Sequence, residues 1–273
     1  MRRQPVAAKI NLALIVGPPR EDGLHEVASV LQRIDLCDWI TVREGDGIAV
    51  EGFSGDSLVR AALARLADAA GVEPGWRVRL DKHIPLAAGL GGGSGDAAAA
   101  LRLANAALPE PLPHERLLEV AADVGSDVPF FLEPGPKLAE GGGERLTLLP
   151  LPQDFWVVVA LPRRARKTST ADVYARFDRL GLGGGFEERR ERLLSALAAC
   201  RRPRDLAALP PNDLGEAAGR SPVLDLLAPR AFRADVTGAG PGVYALFHHL
   251  RDARSAARRV RPRARVWVTA PVW

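Results

Sequence analysis

The sequence predicts an α+β fold in two domains, and three observations carry that prediction. The C-terminal stretch reads strand, glycine turn, strand, helix, strand over residues 232–236, 237–242, 243–247, 250–260 and 265–269. Residues 76–84 alternate as a half-buried strand that runs straight into a glycine-rich loop and an alanine-rich helix. Between these two regions lies the turn-rich Pro150-Leu151-Pro152-Gln153, which divides the chain into 1–152 and 153–273.

From the N-terminus, residues 6–16 carry enough β-branched and aliphatic side chains to form a strand, and 39–50 read as a hairpin turned at Gly45-Asp46-Gly47. The apolar spacing of 57–70 is that of an amphipathic helix. Helices begin at Ser94 and at His114, and Gly125-Ser126-Asp127-Val128-Pro129-Phe130-Phe131 turns the chain from helix into a short strand. A buried strand at 155–161 precedes helices from about Thr170 and Phe186, joined through the glycines of 181–185. No internal repeat is present.

Composition narrows the class. A chain of 273 residues can bury a large core. Its two cysteines, Cys37 and Cys200, are far apart, which argues against a disulfide framework and for a reducing, cytoplasmic setting. Met1-Arg2-Arg3 and the apolar residues after it imitate a short signal peptide, but Lys9 and Asn11 interrupt that run and no small-residue cleavage site comes after it. The longest apolar run, 155–162, is too short to cross a bilayer. The net charge of +4 suits an anionic ligand without requiring one. Lysine occurs only at positions 9, 82, 137 and 167, every other basic side chain being arginine, so a retained lysine points to a task for a compact ammonium. Lys9 is the first candidate.

The most informative segment is Pro85, Leu86, Ala87, Ala88, Gly89, Leu90, Gly91, Gly92, Gly93, Ser94, Gly95. Its glycines let the backbone take positive φ and approach a ligand closely, and the helix behind it adds orphan N–H donors and a partial positive charge. That combination predicts a phosphate cradle. The plainer alternative is a turn whose helix is capped by Ser94, with Asp96 favourable in the first turn. No Gly-Lys pair occurs, which excludes the P-loop pattern, and neither the spaced glycines of the dinucleotide fingerprint nor protein-kinase signatures are found.

Four clusters line up along the chain: Ala8-Lys9-Ile10-Asn11-Leu12, the glycine loop, Gly125-Ser126-Asp127-Val128-Pro129, and Thr237-Gly238-Ala239-Gly240. In this order and spacing the chain resembles the GHMP kinases over almost its whole length. Asp22-Gly23-Leu24-His25-Glu26 and Ser169-Thr170-Ala171-Asp172-Val173-Tyr174 narrow the resemblance to the members that serve the non-mevalonate route to isoprenoid precursors.

The resemblance implies a two-domain GHMP kinase fold, with an N-terminal ribosomal-protein-S5-like domain and a C-terminal ferredoxin-like domain. It implies transfer of the ATP γ-phosphate, with Mg²⁺, to a tertiary hydroxyl of a small molecule carrying a cytidine diphosphate group. Asp127 would accept or orient the hydroxyl proton, and Lys9 beside it would neutralise charge on the transferring group. ATP would be held by Pro85 to Gly95, Ser57, Thr237 and Gly238, with Ser94 also a candidate ligand of Mg²⁺. Asn11, His25, Leu24, Tyr174 and Arg145 would contact the acceptor, with Tyr174 as one ring against the cytosine and His25 reading its edge.

Without the resemblance, Lys9 is a strand lysine that snorkels outward, Asp127 a turn residue capping its C-terminal neighbours, and His25 a surface histidine. Departures from the family pattern fall at Ala87, where it has Gly, at Gly95 and Ala239, where it has Ser, at Thr237 for Ser, at Ser57 for Asn, and at Leu24 for an aromatic. Leu24 leaves room for another GHMP specificity, such as a homoserine or mevalonate-type kinase. The seven arginines between Arg251 and Arg265 raise nucleic-acid binding, but with little aromatic interleaving they read as a solvated helix face. Neither nucleic acid nor membrane is therefore an expected partner, and the sequence leaves the oligomeric state open.

Overall fold

The structure is a computed structural model that describes residues 3–164, 169–219 and 221–273. Met1, Arg2 and Lys167 lie outside these residues. The chain divides into two compact units, each drawn from separated segments. The first comprises residues 1–8, 36–86 and 91–134; the second comprises 9–35, 87–90 and 135–273. These units interleave along the chain and are a different partition from 1–152 and 153–273.

In the first unit, strand β4 (Gly75–Asp81) buries every second side chain, Trp76, Val78 and Leu80, as its alternation requires. It pairs antiparallel with the end of β2 (His25–Glu44), Trp39 opposite Asp81 and Glu44 opposite Trp76. On its other edge it pairs parallel with β3 (Gly47–Glu51). The expected hairpin over 39–50 is thus not formed. Gly45-Asp46-Gly47 turns the chain, Gly45 N–H bonds to the Gly75 carbonyl, and β4 takes the place between the two strands.

Helix α1 (Leu58–Ala70) buries Val59, Ala62, Leu63 and Leu66 and ends on Gly71 in the left-handed conformation, φ 65°. Its first turn is capped by Asp56, which accepts from Val59 N and Arg60 N, while Ser57 makes no capping bond. Helix α2 (Gly92–Asn105) packs on α1, and α3 (His114–Val124) and α4 (Val128–Leu132) complete the layer. The expected strand after Gly125 is instead the short helix α4, whose Pro129 sits in the first turn, where its missing N–H costs nothing.

In the second unit, the rest of β1 (Gln4–Pro19) and the first part of β2 carry the N-terminal chain, and β2 pairs antiparallel with β5 (Lys137–Gly141), itself paired to β6 (Arg145–Leu148). The C-terminal part forms a four-stranded antiparallel sheet, in the order β10 (Ala264–Thr269), β7 (Trp156–Pro162), β9 (Val243–Phe247), β8 (Arg233–Val236). The strand and helix order expected for residues 232–269 is therefore what forms.

One face of this sheet, with Val158, Ala160, Val243, Ala245 and Phe247, packs against Ala253, Ala256, Ala257 and Val260 of α9 (Leu250–Val260). Arg251, Arg254 and Arg258 of α9 are exposed, and Arg259 Nε donates to the Leu226 carbonyl of α8 (Pro222–Leu227) at 2.7 Å. The arginines of α9 accordingly lie on the solvated face of an amphipathic helix, and Arg261, Arg263 and Arg265 beyond its end are exposed as well. A second core gathers Leu14, Val16 and Val27 with Val173 and Phe177 of α5 (Thr170–Arg179) and Leu214 and Ala217 of α7 (Leu214–Ala218). The glycines of 181–185 lead into α6 (Phe186–Ala199).

Candidate active site

The second unit holds a buried polar cluster at the centre of β1. Residues two apart on a strand share a face, and Lys9 Nζ donates to Asn11 Oδ1 at 2.8 Å. Both side chains are only 4% exposed, so Lys9 does not snorkel outward. Asn11 Nδ2 donates to Ser29 Oγ at 2.8 Å, and that hydroxyl donates to the Ala13 carbonyl. Asn11 is thereby held with its oxygen toward the ammonium and its amide toward β2. The Thr237 hydroxyl accepts from Asn11 N at 3.2 Å and donates to the Gly89 carbonyl at 3.0 Å. Lys9 N–H bonds to the Leu90 carbonyl at 2.9 Å, and Asn212 Nδ2 donates to the Gly238 carbonyl at 2.7 Å. Lys9, Asn11, residues 87–90 and Thr237-Gly238 therefore form one hydrogen-bonded set. Ser29 and Asn212 belong to it and were not legible in the sequence, because a single serine or asparagine has no spacing signature.

The glycine loop reaches its shape by a different division of labour from the one expected. Only Gly89 (φ 75°) and Gly91 (φ 68°) are left-handed, joined by Ala87 (φ 51°). Gly92, Gly93 and Gly95 lie inside α2, and packing explains them: a Cβ on Gly95 would stand 2.8 Å from Val6 Cγ1, and one on Gly93 3.1 Å from Leu58 Cδ1. Ser94 is not the cap of α2, since Gly91 precedes its first residue. The Ser94 side chain is half-buried in the first turn. Asp96 lies beyond the first turn, buried and ion-paired to Lys82 rather than facing the helix dipole in solvent.

Asp127 belongs to the first unit. It is half-buried at the residue before α4, with φ −83° and ψ −12°, and its side chain makes no capping bond to that helix, so the capping account does not hold.

The residues expected to meet the base, Leu24, His25 and Tyr174, lie in the second unit. His25 opens β2, and its ring lies 4.8 Å from that of Tyr174, one turn into α5. Its Nε2 is 2.8 Å from Asp178 Oδ1, and Phe177 meets it edge-on at 6.4 Å. Phe177 and Asp178 were not foreseen. They recur at three and four residues from Tyr174, the spacing that places them on the same side of a helix. His25 is thus a packed, oriented ring rather than a loose surface residue. Leu24 is 48% exposed beside it. Arg145 is exposed and pairs with Glu26 at 3.3 Å, next to Arg20, which reaches Asp22, Glu26 and Glu144. Ser57 is exposed at the start of α1.

Residues 57–135 match the GHMP kinases N terminal domain. A 4-diphosphocytidyl-2-C-methyl-D-erythritol kinase of Geobacter sulfurreducens is 39% identical over 97% of this chain and 96% of its own. One of the same name from Anaeromyxobacter is 38% identical over 95% of this chain and 87% of its own. A crystal structure of 4-(cytidine 5'-diphospho)-2C-methyl-D-erythritol kinase, 31% identical, superposes with a TM-score of 0.78 over the full length of both chains. The Methanococcus jannaschii mevalonate kinase, with a TM-score of 0.77 over 100% of this chain and 98% of its own, is only 11% identical and shares the fold. With relatives of this identity along nearly its whole length, the chain belongs to the GHMP kinases, in the family of 4-diphosphocytidyl-2-C-methyl-D-erythritol kinases.

Proposed function

We propose that this protein phosphorylates the tertiary hydroxyl of 4-(cytidine 5'-diphospho)-2-C-methyl-D-erythritol with ATP, in the cytoplasm, on the non-mevalonate route to isoprenoid precursors. The observation that carries the reading is full-length kinship with kinases of that name, on a chain whose His25 and Tyr174 rings stand together in the second unit. In this reading the division at 152/153 separates the two family domains.

Asp127 accepts or orients the proton of the attacking hydroxyl. Lys9, locked by Asn11, brings a positive charge to the transferring phosphoryl group, where positioning and electrostatics supply most of the rate. Pro85 to Gly95 hold the triphosphate, with Ser57, Thr237 and Gly238 completing the nucleotide site. Asn11, His25, Leu24, Tyr174 and Arg145 hold the acceptor.

Mg²⁺ takes oxygen ligands and keeps several waters, so it is carried mainly by phosphates. The donor set fits that behaviour: the Ser94 hydroxyl stands in the first turn of α2, and among the described residues no group of three or more His, Cys, Asp or Glu side chains could hold a metal alone. The ion, held by Ser94, phosphate oxygens and water, would neutralise charge on the β- and γ-phosphates.

The deciding experiment incubates the purified protein with ATP, Mg²⁺ and, separately, the cytidine-diphospho methylerythritol, homoserine, mevalonate and galactose. Phosphorylation of the first alone is expected. Turnover of another acceptor in preference to it would overturn the specificity and leave the kinase assignment standing.

A further inference from the structure

Lys82 stands three residues before the glycine loop and Asp96 directly after it, and the fold ties them together within the first unit. Lys82 Nζ bonds to the carboxylates of both Asp38 and Asp96. Asp38 is fully buried, and its other oxygen accepts from the backbone N–H groups of His83 at 2.5 Å and Ile84 at 2.7 Å, the two residues that lead into Pro85. A Cβ placed on Gly92 would come within 3.3 Å of the same carboxylate. The chain leaving β4 and the chain entering α2 are therefore gathered on one ammonium. A lysine suits this place because its compact head offers three donors in freely chosen directions. The Lys82 side chain retains only 12% exposure, and Asp96 Oδ1 is buried with no hydrogen-bond partner among the described residues. Burial pushes the Asp96 carboxyl up to about 7, against the opposing pull of Lys82. For Lys82, burial works against the charge, but Asp96 and Asp38 outweigh it and raise its pKa. The arrangement is one that an optimised core would replace with apolar side chains, since buried ion pairs of this kind add little net stability.

We propose that Lys82 is a positioning residue for ATP: by bridging Asp38 and Asp96 it holds the two ends of the glycine loop at the separation at which the loop meets the triphosphate. The inference rests on the reading of that loop as the nucleotide cradle. A preset loop spends less of its binding energy on ordering, so the effect belongs to nucleotide affinity rather than to the chemical step.

The test uses full-length Lys82→Met, Asp96→Asn and the double variant. ATP affinity is measured by calorimetry with a non-hydrolysable analogue, alongside kcat and both KM values. Lys82→Met is expected to raise the ATP Kd and KM by about tenfold or more, with kcat within about threefold and the acceptor KM within about twofold. The double variant, relieved of one buried carboxylate, should regain thermal stability and keep the weakened ATP binding. A double variant with both normal stability and normal ATP affinity would overturn the proposal, since Lys82 would then only balance charge. A fall in kcat at unchanged ATP Kd would overturn it as well. Should the lysine variants not fold, Asp96→Asn decides: weaker ATP binding at normal kcat supports the bridge, and unchanged affinity refutes it. Failure of the wild-type protein to use ATP would instead count against the proposed function.

Discussion

Gly89→Ala should destabilise the protein by about 3 kcal/mol, and Gly71→Ala, at almost the same backbone angle, by only about 1. Gly89 has φ 75° and Gly71 φ 65°, so each alanine meets the same left-handed strain of ~1–2 kcal/mol, partly offset by the smaller entropy of the unfolded alanine chain. Their surroundings differ. At Gly71 a Cβ finds nothing within 4 Å, whereas at Gly89 it would stand 2.1 Å from the Thr237 carbonyl oxygen and 2.9 Å from its carbon. Backbone cannot yield as a side chain does, so residues 87–90 must move by about an ångström. The Thr237 to Gly89 bond and the Asn11 N–H to Thr237 bond would be lost or weakened, at about 1 kcal/mol each. Thermal and urea unfolding of the wild type and both variants measure the difference, with a decrease in Tm for Gly89→Ala of roughly 6–12 °C at ~2–4 °C per kcal/mol. Equal stability of the two alanine variants would refute the argument that close backbone approach, rather than φ alone, demands glycine at position 89.

Ala87 makes the complementary case. It holds φ 51° on an exposed position, so Ala87→Gly should be neutral to stabilising by about 1 kcal/mol in the same unfolding assays, and a clear loss would contradict the strain. Asp127→Asn should fold normally and lose roughly two to four orders of magnitude in kcat, and Lys9→Ala should lose kcat far more than ATP affinity. Near-normal turnover in Asp127→Asn removes it from the mechanism. Tyr174→Ala should raise the acceptor KM about tenfold or more at little cost to the ATP KM, since a stacked base is worth ~1–3 kcal/mol. His25→Ala should blunt the preference for cytidine over uridine; if neither change moves the acceptor KM, the base pocket is elsewhere. Asp96 has a folded pKa of about 7 against an ordinary value of 3.8, so the folded state holds its proton more tightly and wild-type stability should fall as pH rises between about 4 and 7. Asp213 and Asp235, also raised by burial, act in the same sense, so the quantity to read is the difference from Asp96→Asn, whose curve should be flatter over that window.

Periodicity and the glycine loop determined the sequence-legible part of this protein. The α+β class, the strand and helix order of residues 232–269, helix α1 and the alternating β4 all come from local rules: two residues per strand repeat, 3.6 per helical turn, glycine before a helix. Tertiary structure decided the rest, because it depended on groups distant in the chain. Whether 39–50 closed as a hairpin turned on β4, some thirty residues later, taking the edge between its strands. Three loop glycines proved to be required by Leu58, Val6, Ile84 and Phe131 rather than by φ, and no local pattern announces a neighbour. His25 was a surface residue until α5 brought Tyr174, Phe177 and Asp178 to it across about 150 residues. Lys82 carried a faint signal in the scarcity of lysine, but its two carboxylates, from the end of β2 and from α2, meet only when the chain folds, and burial there gives the three charged groups their meaning.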